Sequence, residues 1–241
     1  MADGDIQLDV PVTPSFQSAN VRALPQYDSE TAPLFGQLEE AFDVAYRTVR
    51  SIHDAREAAK NDLTLTENAK IVAVADYADK LMDSATCAFD RAGASPTNNI
   101  AALEKALSEP VPARAALTIS VEIRAHVTGL KADGGSILGY VRRAIDAGDH
   151  DTVSAVLGAP AYLSGMPPEN QAVMLRMYHT KANPQTAKRL AAAKAAQEYL
   201  DRNAPLLFKE IEKGIGGGYR KVQMLRKGAC VASSRSGRSM C

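Results

Sequence analysis

Tryptophan is absent from this chain, and aromatic side chains make up only 5% of its 241 residues. With so few large planar groups, and with alanine abundant from Ala101 to Ala196, a core has to form by helices approaching closely on small side chains. Three cysteines are too few for a disulfide framework. No apolar run approaches the roughly 18 residues that a membrane-spanning helix requires. Met1 to Val10 is acidic, where a secretory leader has a basic end and an apolar stretch. These absences predict a protein made and kept in a cytoplasm, with no membrane partner.

The frames that carry chemistry are also missing. The histidines, His53, His126, His150 and His179, are scattered, and none stands in an H-E-x-x-H or C-x-x-C setting. Asp149-His150-Asp151 is the one dense cluster, and a helix N-terminus accounts for it because carboxylates there meet free backbone N–H groups. No Gly-x-Ser-x-Gly elbow is present. Cys87 lies within a helical pattern and reads as a small buried apolar group. Gly214-x-Gly216 opens like a dinucleotide fingerprint, but Tyr219 holds the third glycine position and no Lys-Ser/Thr pair follows. The expectation is a protein that is not an enzyme and has no cofactor or metal. An enzyme or ligand binder with a pocket lined by His126, His150 or His179 is the competing possibility.

What the chain does have is a pair of heptad-spaced apolar stripes separated by a short turn. The first is Phe35, Leu38, Phe42, Ala45, Val49 and Ile52, and the second is Ile71, Ala75, Ala78, Met82, Ala85, Phe89 and Ala92. Alternating steps of three and four put each set on one seam of a helix, and the turn from Asn61 to Thr66 makes the two helices antiparallel partners. Helix one is expected over 34–60. Thr66 is the expected N-cap of helix two, which should stop at Gly93 before Ser95-Pro96. Val44, Val72, Val74 and Leu81 leave apolar groups outside the seam and call for a third element.

Further helices follow. Asn98 or Asn99 is an expected cap for a short helix ending near Ser108, and Pro110 and Pro112 separate it from a longer helix carrying Ile119, Ile123, Val127 and Leu130. Gly134-Gly135 breaks the pattern before Ile137 to Ile145 resume it. Gly148-Asp149 ends one helix and caps the next, which reaches Leu157, and Pro167-Pro168 and Asn183-Pro184 open two more. Pro205 is expected to kink the last of these or to start another. No run of period-two strands with hairpin turns occurs. The predicted class is all-α: a long antiparallel helical hairpin packed with a second multi-helix segment, with extended N- and C-terminal arms. The expected division is an extended arm over 1–33, the heptad hairpin over 34–95, a helical segment over 96–213, and a glycine-hinged basic arm over 214–241.

The two arms differ in charge although the totals balance at 28 basic and 28 acidic residues. Residues 1–33 carry Asp3, Asp5, Asp9, Asp28 and Glu30 against Arg22, whereas 214–241 carry Arg220, Lys221, Arg226, Lys227, Arg235 and Arg238 with no carboxylate. Proline at 11, 14, 25 and 33 excludes a useful helix from the first arm. Segments of this kind dock on an oppositely charged surface of a neighbouring subunit or of nucleic acid.

The candidate subunit contacts are Phe35, Leu38, Phe42, Met82, Phe89, Tyr219, Arg220, Lys221, Arg226 and Lys227. Cys230 and Cys241 either crosslink neighbouring chains outside the reducing cytosol or are incidental thiols. A helical body with arms resembles, in architecture alone, the head-to-tail connector, neck and head-completion proteins of tailed bacteriophages. That resemblance implies a structural subunit made in a host cytoplasm and incorporated into a virion, with other copies of itself and other structural proteins as partners. A helical nucleic-acid-associated protein gripping phosphate with the basic tail is the alternative.

Overall fold

The computed structural model describes residues 13–132, 135–218 and 220–227, and every regular element among them is helical. Short turns at Pro14–Phe16 and α1 (Ala19–Arg22) lead into α2 (Ala32–Lys60) and α3 (Glu67–Ala106). Then follow α4 (Leu117–Ala132), α5 (Ile137–Ala147), α6 (His150–Leu157), α7 (Ala161–Ser164), α8 (Pro168–Ala182) and α9 (Pro184–Ile215). A last helical segment covers 220–227. The chain divides into two compact units: Asn98–Ala191 forms the second, and the residues on either side form the first.

In the first unit the expected hairpin is present. Phe35, Leu38, Phe42, Ala45, Val49 and Ile52 of α2 are all 0–1% exposed, and Ala78, Ala85, Phe89 and Ala92 of α3 share one core with them, with Ala75 also buried. Thr66 caps α3 by accepting from the Ala69 N–H at 3.3 Å. The third element is α9, whose buried positions Ala192, Ala196, Leu200, Asn203, Leu207 and Ile211 also advance by threes and fours. It lies antiparallel to α3: Thr97 meets Gln197, and Leu200 lies where a side chain on Gly93 would begin, 3.3 Å from that Cβ position. At its far end, the backbone of α9 reaches α2 so closely at Gly214 that a Cβ there would stand 2.9 Å from Ile52.

Two expected boundaries are corrected. Helix two does not stop at Gly93, and no separate helix is capped at Asn98 or Asn99, because α3 continues unbroken through Pro96 to Ala106. Proline in a helix interior removes one backbone bond and crowds the carbonyl a turn back. The acceptor left without its donor is the Ala92 carbonyl; the Pro96 ring itself is buried in the packing of the unit. The chain therefore passes into the second unit within α3 and returns within α9, not at 95/96 and 213/214. Pro205 likewise lies inside an unbroken α9.

The described part of the expected N-terminal arm belongs to this core as well. Phe16 and Val21 are 0% exposed. Thr31, fully buried, ties the turn before α2 by donating to the Gln26 carbonyl at 2.6 Å and accepting from the Asp28 N–H at 3.0 Å. Tyr27 and Arg22 both donate to Glu39, at 2.8 and 2.7 Å. Proline excluded a long helix but not compact turns, and these turns place Phe16 6.0 Å from Phe42. Residues 1–12, with the alternation Ile6, Leu8, Val10 and Val12, lie outside the described residues.

The second unit is organised around α6, which packs on α4, α5, α7 and α8 and is buried from Thr152 to Leu157. A buried helix must find partners for the carbonyls at its end. Arg124 donates to Ala155 O at 3.2 Å, and Gln171 donates to Leu157 O and Ala159 O at 3.3 and 2.6 Å. The Gly148-Asp149 junction is as expected: Gly148 closes α5 at φ 73°, and the Asp149 carboxylate accepts from the Thr152 N–H at 3.0 Å. Lys181 donates to the last carbonyls of α5, Ile145 and Asp146, at 3.1 and 2.8 Å.

Phe42→Ala should lower the unfolding free energy by about 3–5 kcal/mol in urea titration, because its ring meets Phe16, Phe89 and Tyr199 at once. Asp149→Ala should cost about 1 kcal/mol near neutral pH. The Thr152 hydrogen bonds hold the Asp149 carboxyl below its ordinary value. The contribution is therefore full above the unfolded Asp value of about 3.9 and fades as pH falls through the lower folded value. The gap between variant and wild type should close in acid, as measured by denaturation at stepped pH.

Candidate functional site

Four of the ten residues expected to contact other subunits lie in the core of the first unit. Phe35, Leu38 and Phe42 are sealed inside the first unit, and Phe89 is 8% exposed. The two stripes pair with each other as expected, and α9 supplies the third element, covering them with Ala192, Ala196, Leu200, Leu207 and Ile211. Met82 remains half-buried at the edge of the core. Cys87 is corrected from buried to exposed: it neighbours Phe89 in sequence but lies on the opposite side of the helix. Tyr219, Cys230 and Cys241 lie outside the described residues.

The glycine run acts as a helix end. Gly216 adopts φ +74° just after α9 and donates to the Glu212 and Lys213 carbonyls, while Arg56 packs over it and donates to Lys213 O at 3.2 Å. The basic segment that follows is docked on its own chain. Within 220–227, Val222 is 4% exposed. Arg226 donates through Nη2 to Asp76 and Asp79 at 2.6 Å each, with its Nε 3.1 Å from the same Asp76 oxygen. Asp79 and then Asp76 hold the guanidinium proton above the ordinary arginine range. Arg220, Lys221 and Lys227 are exposed.

This segment covers one end of a groove between α3 and α9. Beneath it lies a cleft of about 360 Å³ lined by Ala75, Met82, Ile211, Ile215 and Val222, with Asp79, Glu212 and Arg226 at its mouth. Further along the same two helices is a second cleft of about 370 Å³, lined by Thr86, Phe89, Asp90, Ala204, Leu207 and Phe208. Phe208 borders both and is 55% exposed. Asp76, Asp79, Asp83 and Asp90 recur at steps of three, four and seven and so form an acidic lip along the α3 side.

The second unit offers a different surface. Leu117 is 79% and Val121 54% exposed one turn apart on α4, and Ala125 and Gly129 continue that exposed face. On α7, which packs on α4, Tyr162 and Leu163 are 81% and 47% exposed.

His150 and His179 both lie edge-on to Tyr178, with ring centroids 6.1 and 5.4 Å away, while His126 lies elsewhere in the unit. His150 Nδ1 lies 3.4 Å from the Tyr178 hydroxyl, His179 Nε2 lies 2.7 Å from the Glu109 carbonyl, and His126 stacks edge-on with Tyr140. None lines either cleft. Among the described residues no group of His, Cys, Asp and Glu has the clustering a metal ion needs, and no helix is long and apolar enough to cross a membrane. No family model, no curated protein and no solved structure matches this chain.

Val222→Asp should release the 220–227 segment and speed its amide exchange toward the rate of an unstructured peptide, because burying a carboxylate in the cleft is costly. Arg226→Ala, which removes a partly exposed ion pair, should cost less than about 1 kcal/mol and speed exchange in the same segment to a smaller degree.

Proposed function

We propose that the protein is a structural assembly subunit that works by packing against other copies of itself and against other structural proteins. The observation that carries this reading is the apolar face of α4, with Leu117 and Val121 standing in solvent one turn apart. An isolated folded chain gains nothing from such a face, whereas association removes it from water. Ala125 and Gly129 on the same line let another helix approach closely. The particular assembly proposed is the head-to-tail connector or neck of a tailed-bacteriophage virion, by analogy with helical bodies that carry terminal segments of opposite charge. Arg226, already held by Asp76 and Asp79, lends less support to a phosphate-gripping tail.

The full chain should run as a discrete oligomer in light scattering. Leu117→Lys with Val121→Lys should convert it to a monomer with unchanged far-ultraviolet dichroism, since exposed positions tolerate substitution. A wild-type monomer, or an oligomer indifferent to the substitutions, would remove the α4 face as the assembly surface.

A further inference from the structure

We propose that the open half of the groove between α3 and α9 in the first unit is a docking site for a basic amphipathic helix of a partner protein. The inference stands apart from the α4 face of the second unit and rests on how the chain treats the other half of the same groove.

That half is occupied by 220–227, a short helix that puts Val222 into the apolar floor and Arg226 on the acidic lip. Its path follows α3, from Gly217 beside Ile71 to Arg226 beside Asp76 and Asp79. One turn further along α3 the same ingredients recur with none of the described residues seated on them. Asp83 and Asp90 continue the lip, and neither carboxylate forms an ion pair among the described residues. Phe208, with more than half its surface in water, stands beside a cleft of about 370 Å³, a volume in the range of natural binding pockets.

The pattern matches a helix-in-groove interface, in which apolar anchors a turn apart enter the cleft and flanking charges set orientation. Asp83 to Asp90 spans about 10 Å along the helix axis, close to two turns, so a partner with Lys or Arg at positions i and i+7 and Leu or Met between them reaches both carboxylates. An acidic partner would place like charges opposite the lip and be rejected.

The test uses the full chain and a fluorescein-labelled helical peptide of leucine and lysine in amphipathic register, with a leucine–glutamate peptide of the same pattern as control. Fluorescence anisotropy should show saturable binding of the lysine peptide that weakens with salt, and no binding of the glutamate peptide. Asp83→Lys with Asp90→Lys should weaken it about tenfold or more, the equivalent of about 1.4 kcal/mol. Phe208→Gln should weaken it comparably without increasing salt sensitivity. Both substitutions are at exposed positions, and unchanged dichroism would confirm folding. Equal binding of the two peptides, or a lysine peptide indifferent to the Asp83/Asp90 changes, would overturn the proposal. So would dissociation of a wild-type oligomer by Phe208→Gln, which would make the groove an interface between copies of this chain.

Discussion

The first unit depends on a single aromatic junction. Phe42 projects from α2 to meet Phe16 from the N-terminal turns, Phe89 from α3 and Tyr199 from α9, with ring centroids 5.2–6.0 Å apart. In a chain with five phenylalanines and no tryptophan, gathering three of them with a tyrosine at one level concentrates the large contacts where four chain segments meet. Aromatic pairs in tilted arrangements are favourable beyond their area alone. Around that level Ala45, Ala78, Ala85, Ala192 and Ala196 are interspersed among the larger seam residues, so the helices close on one another. The junction fixes the level at which the helices meet, and the small residues let them approach.

Polar chemistry does the corresponding work in the second unit. The short helix α6 is buried over most of its length, and its terminal carbonyls lie away from water. Arg124 and Gln171, from α4 and α8, are the groups that satisfy them, so the packing of three helices is tied to one set of hydrogen bonds. Losing either donor would leave a buried acceptor unmet, which costs more than the bond itself contributes.

The hairpin was legible because its stripes hold large apolar residues at unbroken heptad spacing, and the caps at Thr66 and Asp149 were legible because side-chain oxygens at those positions have one strong local use. The third seam was harder to see. Ala192 and Ala196 are buried completely, yet alanine is as common on exposed helix faces as in cores, so composition alone did not separate core from surface. Pro96 and the N-terminal prolines misled for a related reason: proline reports a lost backbone donor, and whether burial of the ring in tertiary packing compensates for it is decided elsewhere in the fold. The tail was read correctly as basic, but pairing of Arg226 with Asp76 and Asp79 joins positions 150 and 147 residues apart, and no local pattern announces such a contact.

That pairing changes how the charge of the chain should be understood. Equal totals of basic and acidic residues hide a segregation in which a basic C-terminal segment and an acidic stripe on α3 recognise each other inside one molecule. A surface ion pair contributes little by itself, and the buried Val222 beside it supplies the stronger attraction. Affinity from the apolar contact and register from the charges is the division of labour found in interfaces between proteins. The groove is therefore already an interface along half its length, and the exposed Phe208 with Asp83 and Asp90 extends the same surface beyond the segment that occupies it.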